Sequence, residues 1–181
     1  KNKKDKSNIG HIDNYILELC EKINSNSNYF TTSSCSGRIT LIVDKDKKSK
    51  NVFLFRSHNK LDFNQLKENI VDSSKKIKKG LIYFKQEPCF IVISCKSKEK
   101  QWSIFNEARN NGWKKSGILS INKKFLVELM SSERIEFPVI KDEKILVDDE
   151  FLKIVLDKAN NNLEKGWDKI KNLLDYLNEN L

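Results

Sequence analysis

The chain has 181 residues, enough at the usual ~150 residues per domain for a single domain with a sizeable core. Its balance of 38% apolar and 33% charged residues is that of a soluble globular protein; the longest uninterrupted apolar run, Cys89 to Ile93, falls far below the ~18 residues a spanning helix needs, so a membrane-spanning protein is excluded. The net charge of +9 is uneven, with 26 basic and 13 acidic groups in residues 1–130 against 8 and 12 in residues 131–181, and a basic body with an acidic tail suits a polyanionic partner such as nucleic acid.

The start, Lys1-Asn2-Lys3-Lys4, offers neither an initiator Met nor an apolar leader core and reads as the trimmed beginning of an intracellular, cytoplasmic chain. After a polar arm over residues 1–12, Asp13 stands as N-cap before the stripe Ile16, Leu19, Cys20, Ile23, with Ile12 placed to staple onto Leu17; a first helix runs from about Asp13 to Asn24. Ser25 to Arg38 reads as a Ser-, Thr- and Asn-rich polar loop. It leads into the strands Ile39 to Val43 and Val52 to Ser57, a hairpin around a Lys/Asp turn. A second helix, about Asp62 to Lys78, is followed by strands Leu81 to Lys85 and Cys89 to Cys95 around the turn Gln86-Glu87-Pro88. A third helix, Lys98 to Asn111, precedes strands Gly117 to Ile121 and Phe125 to Met130. Strand Ile135 to Ile140 carries Pro138 and belongs at a sheet edge. A helix from about Asp148 to Asn180 closes the chain on the stripe Leu152, Val155, Ala159, Leu163, Trp167, Ile170, Leu174, Leu177.

The expected fold class is α+β: three helix-strand-strand units forming a mainly antiparallel sheet with packed helices, plus a long C-terminal helix, in one domain over residues 1–181 (body 13–140, C-terminal helix 148–180). The repeated order carries no matching residues. Antiparallel alternation of short-linked elements gathers five segments at one end, Ser25 to Arg38, Ser57 to Asp62, Gln86 to Pro88, Asn111 to Ser116 and Ser131 to Glu136, and leaves Lys-rich turns at the other. The first end is where chemistry is expected.

No Gly-x-Gly-x-x-Gly, Walker loop, His-Glu-x-x-His or Gly-x-Ser-x-Gly occurs, so a Rossmann cofactor site and the common hydrolases have no local support. Cys20, Cys35, Cys89 and Cys95 show no Cys-x-x-Cys spacing, and with only His11 and His58 available no tetrahedral zinc set can form, so no metal and a reducing compartment are expected. The outstanding segment is Tyr29 to Ile39, where packed hydroxyls, a glycine turn and one of four arginines can cradle a carboxylate or phosphate. A polar loop with Arg38 in a surface ion pair is the plainer alternative.

Thr31-Thr32-Ser33-Ser34-Cys35-Ser36-Gly37-Arg38-Ile39 resembles the signature of the tRNA wybutosine-synthesizing protein 3 family. Further matches follow in order: Asp5-x-Ser7, Gly10-x-Ile12-Asp13, Ser57-His58, Glu87-Pro88 with Cys95, Gly112-Trp113-x-x-Ser116-Gly117-Ile118 and Glu136-x-Pro138. The resemblance spans nearly the whole chain. It implies an S-adenosylmethionine-dependent methyltransferase acting on a tricyclic guanosine derivative beside the anticodon of phenylalanine tRNA, at a ring nitrogen (N-4) of the intermediate that already carries the aminocarboxypropyl group. Two positions depart from the family pattern, which often has a His where Val92 stands and an Arg in place of Lys114. A non-catalytic RNA-binding module of the same fold is the alternative.

Methyl transfer from a sulfonium is an in-line displacement, so nucleophile and methyl must be held ~3 to 3.5 Å apart and the ring nitrogen relieved of its proton. His58 and Glu87 are the candidate bases, each with a structural alternative as a hydrogen-bonded strand-end residue or a turn carboxylate. Arg38, with Ser33, Ser34, Ser36 and the Gly37 turn, is the candidate for an anionic group of cofactor or RNA, while Cys35 packs within the cradle. Glu136 can accept from cofactor hydroxyls or face the sulfonium. Trp113 can stack on adenine or the tricyclic base, or sit as a buried aromatic beneath the third helix, and Ser116 and Gly117 complete the binding set.

Overall fold

The computed structural model describes residues 13–44, 52–122 and 124–180. In chain order the elements are α1 (Asn14–Ser25), β1 (Tyr29–Cys35), β2 (Arg38–Val43), β3 (Phe53–Ser57), α2 (Phe63–Lys76), β4 (Leu81–Glu87), β5 (Phe90–Cys95), α3 (Lys98–Asn110), β6 (Gly117–Ser120), β7 (Phe125–Met130), β8 (Ile135–Lys141), β9 (Lys144–Ile145) and α4 (Asp149–Asn180). The fold is α+β with two antiparallel sheets, and it is not a Rossmann fold. Among the described residues no helix is long and apolar enough to cross a membrane.

The elements gather into two compact units, one from Lys1–Ser36, Pro88–Ser132 and Lys165–Leu181, the other from Gly37–Glu87 and Glu133–Glu164. The first holds the sheet β1-β5-β7-β6. Its core joins Ile16, Leu19 and Ile23 of α1, Ile91, Ile93, Val127 and Leu129 of the sheet, Ile104 and Ala108 of α3, Trp113, and Ile170, Leu173 and Leu177 of α4. Each such fully buried aliphatic contributes roughly 1.5–3 kcal/mol. The second unit holds the sheet β3-β2-β4-β8-β9. On one face of it Ile39, Leu41, Ile82 and Phe84 are buried with Leu66 and Ile70 of α2 and Leu152, Leu156, Ala159 and Leu163 of α4. Phe137 stacks on Phe84 and meets the edge of Phe151, which seats α4 on that face.

Helix boundaries follow the apolar period closely, with local corrections. Asp62 and Gln65 form a reciprocal capping box that starts α2. Asp13 precedes α1 but makes no side-chain cap; its Oδ2 accepts instead from the Ser36 backbone N at 2.9 Å, tying the start of α1 to the end of β1. Along α4 the buried positions are Leu156 and Leu173 rather than Val155 and Leu174. The polar arm, the Ile12 staple, the Lys/Asp turn of the first hairpin and Lys123 lie outside the described residues.

Three strand expectations change. The Ser- and Thr-rich segment is the edge strand β1 rather than a loop, and a register shift between Thr31 and Ser33 breaks its alternation of exposed and buried side chains. The middle pair is not a hairpin: β4 pairs with β2 and β8, β5 with β1 and β7, so two sheets stand where one was expected. Pro88, with no N–H to donate, ends the run between them. The five expected motif segments are accordingly divided. Cys35, Phe90 and Met130 align at one end of the first sheet, while Arg38, Glu87 and Ser57 lie at one end of the second. Pro138 sits on β8, where β9 pairs only with Ile140 and Lys141, so the proline occupies a stretch that is an edge in practice.

Candidate functional site

In the second unit the β2–β3 register sets Ser57 opposite Ile39, and the next residue, His58, brings Nδ1 to 3.0 Å from the Gly37 carbonyl oxygen. A carbonyl only accepts, so Nδ1 carries the proton. Gly37 takes φ +98°, a left-handed conformation that a side chain would strain. The loop behind His58 is clamped to α4: Asn160 accepts from Leu61 N at 3.1 Å and donates to Leu61 O at 2.8 Å, and Lys60 bonds Glu164 at 2.5 Å.

Arg38 and Glu87 face each other across β2 and β4, and the Arg38 Nε donates to the Glu87 carboxylate. The Arg38 guanidinium also lies 5.0 Å from the Phe53 ring centroid. Its Nη groups have no acceptor among the described residues. Beneath the pair, buried Gln86 donates to Glu87 O at 3.0 Å and to Glu133 O at 3.3 Å and accepts from Asn162 at 2.8 Å, fixing the end of β4. One step along, Lys85 bonds Glu136 at 2.7 Å, and Arg134 donates to the same carboxylate. The hydrogen bond from Lys85, reinforced by Arg134, holds the Glu136 carboxyl below its ordinary range. Glu136 therefore spends its acceptor capacity on its own strand neighbours.

The first unit treats its motif residues differently. Trp113 is 0% exposed and donates Nε1 to the Lys169 carbonyl at 3.3 Å, so the stacking role is corrected to that of a core aromatic with no free ring face. It is placed by the end of α3, where Gly112 at φ +90° and the bonds Trp113 N to Ala108 O and Gly112 N to Arg109 O form a Schellman cap. Ser116 donates to Trp113 O at 2.7 Å and accepts from Met130 N at 3.1 Å, a joint between this cap and β7. Gly117 opens β6 with nothing within 4 Å of a Cβ built on it, so close approach does not require its glycine. Ser33 is exposed, Ser34 is half-buried and bonded to Cys20, and Cys35 and Ser36 are buried. Burial pushes the Cys20 thiol up to about 11, with the Ser34 bond opposing, and pushes Cys95 equally to about 11. Such thiols are inert, in keeping with packing roles, and none of the four cysteines is in a disulfide.

Sequence reasoning passed over Phe53, Arg56, Gln86, Asn160 and Asn162. The run Asn160-Asn161-Asn162 was the available signal, since three poor helix formers in mid-helix point to side-chain duties elsewhere.

Compared with known proteins, residues 1–179 match the family described as Methyltransferase TYW3. A Thermococcus sibiricus protein named tRNA(Phe) 7-((3-amino-3-carboxypropyl)-4-demethylwyosine(37)-N(4))-methyltransferase is 33% identical over 171 residues, covering 93% of this chain and 85% of that protein. An Archaeoglobus fulgidus protein of the same name is 34% identical over 169 residues, covering 92% of this chain and 83% of its own length. The solved structure of the PH1069 protein from Pyrococcus horikoshii superposes with TM-score 0.84 at 32% identity, over 94% of this chain and 86% of that one. A hypothetical protein from Aeropyrum pernix, at TM-score 0.76 and 23% identity over 92% of this chain and 98% of that chain, shares the fold.

Proposed function

The chain belongs to the Methyltransferase TYW3 family, and on that premise we propose that it methylates N-4 of the aminocarboxypropyl-demethylwyosine beside the anticodon of phenylalanine tRNA, using S-adenosylmethionine in the cytoplasm. The observation that carries this reading is the match over residues 1–179, joined to the shared name of relatives that cover more than nine-tenths of the chain. S-adenosylmethionine, when bound, supplies a sulfonium methyl whose transfer leaves a neutral thioether. The donor chemistry here fits such a group: the Nη groups of Arg38 suit a carboxylate, and Glu87 keeps that guanidinium in place.

His58 is the proposed base. With Nδ1 bonded to Gly37 O, the imidazole is the group assigned to take the ring N–H proton lost as the new N–CH3 bond forms. Asn160 and the Lys60–Glu164 pair hold this loop, so the ring is positioned before substrate arrives. Glu87, bonded to Arg38, acts as a positioning residue.

The test takes phenylalanine tRNA carrying the unmethylated intermediate, adds the protein and S-adenosylmethionine, and looks by mass spectrometry for one added methyl on that nucleoside. Its appearance supports the reading. Its absence with folded protein and verified substrate would leave an RNA-binding module of the same fold.

A further inference from the structure

Arginine is scarce in this sequence, with four among 34 basic residues, and three of the four belong to one face of one sheet. Residues directly opposed in neighbouring strands point to the same side. Arg56, Thr40, Lys85 and Glu136 form one such row across β3, β2, β4 and β8, and Arg38 and Glu87 form the next. Arg134 joins them through its bond to Glu136. This is the face opposite to the one that buries Ile39, Leu41 and Phe84 under α2 and α4.

Two features separate these side chains from ordinary solvated charge. First, Phe53 lies 5.0 Å from the Arg38 guanidinium and 5.1 Å from that of Arg56, so one ring orders both without using any of their N–H donors. Second, Arg56 is half-buried and has no acidic partner or hydrogen-bond acceptor among the described residues. The lysines Lys60 and Lys67 contrast with it, since both are paired with carboxylates of α4. Against Arg38, Arg56, Lys85 and Arg134 stand only Glu87 and Glu136 within this group, an excess of positive charge with unspent planar donors.

Resting on the proposed RNA substrate, we infer that this face of the five-stranded sheet is where the tRNA phosphate backbone docks. Arg56 is the anion site, beside the Arg38 guanidinium whose Nη groups are left to the cofactor carboxylate, and Arg134 lies at the margin. The chemistry recognised is the phosphodiester rather than the base, because the Phe53 ring is already engaged by two cations and the charged groups address no base edge.

Binding of an unmodified phenylalanine tRNA transcript to the full chain between 50 and 200 mM KCl tests this. Each neutralised phosphate contributes about 0.7–0.9 to the slope of log affinity against log salt. Arg56→Ala is expected to lower that slope by about one and to weaken binding roughly 3- to 10-fold at low salt, and adding Arg134→Ala to lower the slope by about two in all. Arg56→Lys keeps the slope but recovers only part of the affinity, because an ammonium keeps the charge without the planar stack. Arg109→Ala, which removes the fourth arginine, leaves both quantities unchanged. Thermal melts of each variant establish that it is folded.

Wild-type binding that ignores salt, or equal losses from Arg56→Ala and Arg109→Ala, overturns the surface. Methyl transfer by the wild-type protein, measured alongside, separates this inference from the reading beneath it. Methylation with unaltered tRNA affinity in Arg56→Ala defeats the docking face alone. Salt-dependent binding lost in Arg56→Ala, without methylation by wild type, supports the face and defeats the proposed reaction.

Discussion

The two units use their motif residues in opposite ways. In the first, Ser116 donates to Trp113 O, Trp113 donates to Ala108 O and Lys169 O, and Gly112 donates to Arg109 O, so these polar groups are spent inside the protein. In the second, Glu87 anchors Arg38 through Nε and leaves its Nη groups without an acceptor among the described residues, while the Gly37 carbonyl sets the His58 ring. The difference teaches that a family motif mixes two kinds of residue. Those whose polar groups are fully spent inside the protein hold the fold; those anchored at one atom with others in reserve are placed to act.

Substitution is the sharpest way to break this contrast. Trp113→Ala removes the largest fully buried side chain of the first unit, and urea unfolding should show a loss of about 3–5 kcal/mol. The surviving folded fraction should retain its turnover per molecule. A selective loss of turnover at full stability would move Trp113 back among the ligand-binding residues. His58→Ala reverses the pattern: single-turnover methylation should fall by about 10²-fold or more, far more than the folded fraction falls in the melt of the same variant. An equal drop in stability and activity would reduce His58 to a loop anchor.

The pH limits of stability should divide between the same regions. Cys20 and Cys95 of the first unit titrate near 11 when folded and near 9.0 when free. A raised folded value gives stability that is complete below the unfolded pKa and lost as pH climbs to the folded one. Urea midpoints should thus fall between about pH 9 and 11, by at most about 2–3 kcal/mol per thiol. Glu136 of the second unit has the opposite sign. Its lowered value adds stability above the ordinary carboxylate range that fades as acid protonates it. Glu136→Gln should flatten the acid limb and leave the alkaline one intact. The smallest expected effect is a gain: a Cβ on Gly166 of α4 would meet Cys89 and Ser36 atoms at 3.6–3.7 Å, ordinary contact distances. Gly166→Ala should therefore stabilise by about 0.5–1 kcal/mol in the same urea assay.

The helices were legible because their apolar residues recur every three or four positions and because Asp62 and Ser97 are cap residues with backbone N–H groups to receive. Strands were less so. Period two says which side chains share a face but not which strand lies alongside, and this is why β4 and β5 were joined in one hairpin. β1 was hidden by its register shift at Thr31 and Ser33. At the site, His58, Glu87, Arg38 and Glu136 were visible as residue types at motif spacings. The bond between Arg38 and Glu87, the capture of Glu136 by Lys85, and the shared ring of Phe53 all depend on cross-strand register, which no local spacing encodes.

Because α4 begins in one unit and ends in the other, neither unit is a continuous stretch of chain. The first unit needs Ile16 and Leu19 near one terminus and Leu173 and Leu177 near the other to close its core. During synthesis on a ribosome its opening helix must therefore wait, unpartnered on that side, until Leu177 has left the exit tunnel. The first unit is committed to closing late, and a chain that stops four turns before the end of α4 should be recognised in the cell as unfinished.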